Sequence, residues 1–117
     1  MKRLFVVSAA LLAAPATAQA PTPLSLEHQM LLRCSAAFAL VANRQEAGDR
    51  EALAYPPLKQ RGSEFFVRAS AKVMDEARLD RNGIAEALRL SAQGLLEPGA
   101  LAAIMPPCLS ALEASER

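Results

Sequence analysis

The stretch Leu26-Glu27-His28-Gln29-Met30-Leu31-Leu32-Arg33-Cys34-Ser35-Ala36-Ala37-Phe38-Ala39-Leu40-Val41 decides the fold class. Met30, Cys34, Ala37, Phe38 and Val41 recur at steps of three and four, which places them on one face of an α-helix. Cys34 sits in the middle of that face, and the other cysteine, Cys108, lies near the far end of the chain. Joined, the two would tie the first helix to the last segment and enclose everything between. Ser25 is a good N-cap, with Leu24 placed as a hydrophobic staple. The helix should run to about Ala47, with Gly48 free to take the positive φ of a C′ residue.

Composition extends this reading to the whole chain. Residues 21–117 hold 18 Ala and 15 Leu against three Val, two Ile and one Thr. Ala and Leu are the best helix formers, whereas β-branched side chains favour strands, so the expected class is all-α. Downstream of the first helix, Asp49 caps a short turn that Tyr55-Pro56-Pro57 should break. Ser63 then caps a second long helix, Glu64 to about Leu79, with Phe66, Ser70, Val73 and Ala77 on its buried face. Glu64 and Arg68 form a favourable i,i+4 pair on it. Asp80-Arg81-Asn82-Gly83 makes a corner into a third helix marked by Ile84, Ala87, Leu88, Ser91 and Leu95. Pro98 opens a short helix to about Ile104, Met105-Pro106-Pro107-Cys108 interrupts it, and Leu109 and Leu112 mark a last short one. The expected architecture is a small bundle of three main helices plus two or three short ones, cross-linked by one disulfide.

The first twenty residues read as a cleaved signal peptide. Lys2 and Arg3 form a positive n-region, Leu4 to Ala14 an apolar h-region, and Ala18-Gln19-Ala20 a small-residue cleavage site. The apolar run is too short to span a bilayer, which takes roughly 20 residues. Residues 21–24 are then an extended leader, 25–114 a single helical domain and 115–117 a polar tail. The product is expected to be exported, into the periplasm of a bacterium with two membranes. Losing Lys2 and Arg3 changes 13 basic against 12 acidic residues to 11 against 12. A chain so near neutrality offers no electrostatic basis for binding nucleic acid or an anionic membrane.

Two cysteines in an exported chain most simply form one intrachain disulfide. Closing a loop of seventy-four positions is worth roughly 4 kcal/mol in the chain-entropy account, a large share of a total of about 5–15. Intermolecular pairing is another use for them. Redox catalysis would favour a Cys-x-x-Cys spacing, which is missing. His28 lies well off the Cys34 face and is expected to be exposed. His28 with Met30 suggests copper by donor type, but residues two apart on a helix diverge. Neither a Gly-x-Ser-x-Gly elbow nor a Gly-rich phosphate loop occurs, and no enzyme is expected. Phe65-Phe66 differ by about 100° in direction, so one ring packs on the first helix while the other faces a neighbour or a partner. Tyr55, Phe65 and Phe66 are therefore the candidate partner-contact residues.

Leu32-Arg33-Cys34-Ser35-Ala36-Ala37-Phe38, Tyr55-Pro56-Pro57, Glu64-Phe65-Phe66-Val67-Arg68 and Met105-Pro106-Pro107-Cys108-Leu109 resemble segments of an uncharacterised group of small exported helical proteins from alphaproteobacteria. In architecture the chain is also similar to the HdeA-like periplasmic acid chaperones, which are exported, helical and cross-linked by one disulfide. The residues themselves lead to the expectation of a non-enzymatic protein working through contacts with an envelope protein or with itself, without cofactor or stable membrane anchor, and the architectural similarity implies a stress or acid chaperone-like role as one version of it. A small-molecule or copper binder is the alternative.

Overall fold

The computed structural model describes Ala10, Leu12 and residues 23–117, so all but two residues of the expected signal peptide, and the start of the leader, lie outside the described residues. Five helices follow in order: α1 (Leu26–Glu46), α2 (Arg50–Leu53), α3 (Lys59–Ala77), α4 (Arg81–Gly94) and α5 (Ala100–Ser115). The described residues are all-helical, with four long helices and one single turn, where three long ones were expected. None of these helices is long and apolar enough to cross a membrane.

α1 is the axis of the molecule. It packs against each of the other four helices, which is why its burial exceeds one stripe. Cys34, Ala37, Phe38 and Val41 are buried as expected, but so are Leu32, Ser35 and Ala36, and Met30 is only half-buried. A helix covered on several sides must hide residues from several faces. Ser35 stays compatible with full burial because its hydroxyl donates to the Leu31 carbonyl at 2.8 Å. The α1 N-terminus is closed by a reciprocal cap: the Ser25 hydroxyl accepts from the His28 amide at 3.0 Å, and His28 Nδ1 faces the Ser25 amide at 3.5 Å. Leu24 does not make the staple contact with N4 of α1, because that position is the polar Gln29, whose amide instead donates to the Leu24 carbonyl. Leu24 packs beside Leu32 and Ile84. At the other end Gly48 takes φ +79°, as expected of a C′ residue.

α3 departs from expectation in its start and its rotation. It begins at Lys59, not Glu64, with no side-chain cap of its own. Gln45 of α1 substitutes for one: its Oε1 accepts from the Leu58 amide at 3.1 Å, while Nε2 donates to the carbonyls of Ala52, Tyr55 and Pro56. One neutral side chain thus ties α1 to the Tyr55-Pro56-Pro57 loop and the entry of α3. Gly62 lies inside the helix because a Cβ there would meet Phe38 Cβ at 2.9 Å. The buried face runs Gly62, Phe65, Ala69, Val73 and Ala77, so Phe65 and not Phe66 points inward. The expected Glu64–Arg68 pair is also replaced. Glu64 accepts from Gln60, and Arg68 reaches Ser115.

Asp80 caps α4 as expected, accepting from the Gly83 amide at 2.8 Å. α5 is a larger correction, since one helix runs unbroken through Pro106 and Pro107. Prolines there remove the bonds to the carbonyls of Ala102 and Ala103, but both residues are exposed, so water can serve those oxygens. On the opposite side Leu101, Met105, Cys108 and Leu112 are buried, and that packing holds the helix together. Pro98 precedes the cap instead of opening the helix, and Gly99 at φ +78° is the N-cap. The tail is fastened too: Arg61 grips Glu116 through two bonds of 2.8 and 2.6 Å.

The Cys34–Cys108 disulfide joins α1 to α5 with a Cα–Cα distance of 5.1 Å. It lies in the larger of two apolar clusters, with Phe38, Val41, Leu58, Phe65, Leu95, Met105 and Leu112. A smaller cluster of Leu32, Val73, Ala77 and Ile84 fills the corner between α3, α4 and the first half of α1.

Candidate functional site

The two phenylalanines have separate fates. Phe65 is 3 % exposed and meets the Phe38 ring edge-on, with centroids 5.2 Å apart and planes at 82°. As a partner contact of the folded molecule it is ruled out by burial. Phe66 is 38 % exposed and forms one wall of an apolar groove between α1 and α3. The groove encloses about 300 Å³ over a floor of small side chains, chiefly Ala39, Ala42, Gly62 and Ser63. An ion pair between Lys59 and Glu46, at 2.9 Å, stands at its rim. Val67, next in sequence, is 62 % exposed and widens the apolar surface. Tyr55 is half-buried against the main cluster, and its loop carbonyl is bound by Gln45. It lines a separate cavity of about 240 Å³ with Arg44, Asp49 and Leu96.

His28 is the second correction at the residue level. It is 8 % exposed, because α3 crosses over it. Its Nδ1 is turned to Ser25 and its Nε2 lies 3.4 Å from Glu76 Oε1. Glu76 also lies 3.7 Å from Lys72 Nζ, which reaches Glu27 on α1 at 2.9 Å. Hydrogen bonding and charge from Lys72 hold the Glu27 carboxyl below the usual carboxylate range, and Glu27 raises Lys72 in return. Arg61 likewise lowers Glu116, chiefly through their hydrogen bonds. Sequence reasoning missed this cluster because its cross-helix pairs, Glu27–Lys72 and His28–Glu76, span 45 and 48 positions. Only the helical register of α3 brings them together.

No three His, Cys, Asp or Glu side chains among the described residues come together as a metal cage. The cysteines are consumed by the disulfide, and both His28 nitrogens face protein partners. What the arrangement offers is contact surface: an open apolar groove at Phe66, and an apolar corner flanked by the Glu27–Lys72 and His28–Glu76 pairs. Comparison with protein-family models, curated proteins and solved structures finds no match for this chain.

Proposed function

We infer that this is an exported, non-enzymatic helical protein of the periplasm that acts through contacts with other protein chains, as an acid-stress holdase. The observation that carries the reading is the unequal fastening of its two clusters. The main cluster is secured by the disulfide, by the Phe38–Phe65 contact and by the neutral Gln45 clamp, none of which responds to acid. The corner cluster contains four buried residues, and the pairs beside it run Glu27–Lys72 and His28–Glu76.

Acid weakens carboxylate pairs at both ends of α3, and the corner is the end with no disulfide or neutral clamp behind it. A carboxyl whose folded pKa is depressed contributes stability that is present above its unfolded value, about 4, and is lost as pH falls through the folded one. Glu27 and Glu116 are of this kind. α3 carries Lys59, Arg61, Arg68 and Lys72, whose positive charge persists in acid. Across from it, Glu116 of α5 loses the charge that holds Arg61, and α4 carries Arg81 and Arg89. Surface pairs of this type are each weak, so loss is confined to the part with the least buried area behind it. The apolar faces of Leu32, Val73 and Ile84 then become available to unfolded chains, beside the Phe66 groove that is open at neutral pH.

Hydrogen exchange of the oxidised protein at pH 7 and pH 3, alongside light scattering of reduced, S-alkylated lysozyme, tests this. The expected result is protection lost over residues 72–88 at pH 3 but kept over 34–45 and 101–112, with aggregation of the reporter suppressed. Glu27→Gln with Glu76→Gln should bring part of that opening to pH 7. A chain that keeps its corner protected at pH 3 and leaves the reporter to aggregate would contradict the reading.

A further inference from the structure

A third concavity, of about 240 Å³, lies where α1, α3 and α5 meet, lined by Leu31, Phe65, Arg68, Ala69, Lys72 and Ser115. Its base is apolar: Phe65 and Ala69 are buried and Leu31 is half-buried. Its mouth carries two basic side chains, Arg68 and Lys72. Arg68 and Lys72 are four residues apart on α3, one above the other on the same side of the helix. Arg61, Arg68 and Lys72 form a basic row, and their partners differ. Arg61 holds both oxygens of Glu116, and Lys72 is shared between Glu27 and Glu76. Among the described residues Arg68 is the member of that row with no carboxylate within salt-bridge distance, its bond being a long one of 3.3 Å to the neutral Ser115 hydroxyl. Glu116 is near enough to feel Arg68, but its oxygens are committed to Arg61. The Ser115 hydroxyl in turn donates to the Leu112 carbonyl at 2.7 Å, which fixes it as an acceptor for Arg68.

We propose that this pocket binds a small carboxylate with an apolar body, the carboxylate on the Arg68 guanidinium and the body on Leu31, Phe65 and Ala69. The planar fork of Arg68 suits a two-oxygen anion, while Lys72 is engaged with Glu27 and Glu76. The volume sets the size. It falls below the roughly 300–1,000 Å³ of sites that enclose drug-sized ligands, so the body is a single ring or a short branched chain. For so few atoms in an open site, dissociation constants of about 0.1–1 mM are expected.

Phenylacetate, phenylacetamide and acetate separate the two halves of the claim. Titrated into isotopically labelled, oxidised protein, phenylacetate should shift the Leu31 and Ala69 methyl resonances and saturate. Phenylacetamide (ring without charge) and acetate (charge without ring) should bind at least about tenfold more weakly, as should phenylacetate with Arg68→Gln. Arg68 is exposed and its substitution leaves the core intact, which the unperturbed remainder of the spectrum checks; Arg68→Lys should retain part of the affinity. Equal responses to the acid and its amide, binding that survives Arg68→Gln, or shifts confined to the Phe66 groove would each overturn the proposal.

Discussion

At the residue scale, two glycines in helices should respond to the same substitution with opposite sign. Gly62→Ala gains helix propensity but sets a Cβ 2.9 Å from Phe38 Cβ, in a core already closed by the disulfide. Overpacking of that kind costs about 1–3 kcal/mol and outweighs a propensity gain of about 1. Gly94→Ala meets nothing within 4 Å and should stabilise by about 0.5–1 kcal/mol. Urea midpoints of the two variants against the parent check both signs. Gln45 makes a different demand. Replacing it with Ala leaves the Leu58 amide and three loop carbonyls without their shared partner, at a cost of about 1–3 kcal/mol. Gln45→Glu should be worse, because a carboxylate would face those carbonyls; thermal unfolding at pH 7 ranks the two. The sequence carries no local mark for Gln45, whose bonds span seven to thirteen positions. The choice between Phe65 and Phe66 was open for a related reason: adjacent residues differ by about 100°, and the assumed start at Ser63 concealed the Leu58, Gly62, Phe65, Ala69 spacing.

At the scale of elements, the single-turn α2, its Asp49 cap, the Asp80 corner and the span of α1 follow from capping chemistry and spacing alone. α5 did not follow, because tandem prolines argue locally for a break. The signal that overrides them was present in the chain: Leu101, Met105, Cys108 and Leu112 keep a helical stripe across the prolines. That stripe also makes α5 a place to gain stability. Pro106→Ala restores a donor for the Ala102 carbonyl and removes a ring from the helix interior on an exposed side. Calorimetry should record a gain of about 1–3 kcal/mol, somewhat below the intrinsic difference of about 3, since the helix already tolerates the proline. A loss would mean that the prolines set a bend the packing requires.

At the scale of the whole molecule, the all-α class and the pairing of Cys34 with Cys108 were legible from composition and cysteine usage. The way α3, α4 and α5 surround α1 was not, because each α1 residue can be assigned a face only after its neighbours are placed. The disulfide closes a loop of seventy-four positions around nearly all of that packing. Reduction should therefore lower stability by about 2–5 kcal/mol, seen as an earlier denaturant midpoint. Export and oxidation stand or fall together in this account, and one measurement reads both: the intact mass of the chain recovered from the envelope after blocking free thiols. The account predicts a chain beginning at Pro21, carrying no blocking group and two hydrogens lighter than its reduced form. A chain that retains Met1 to Ala20, or that carries a blocking group on each cysteine, would contradict it.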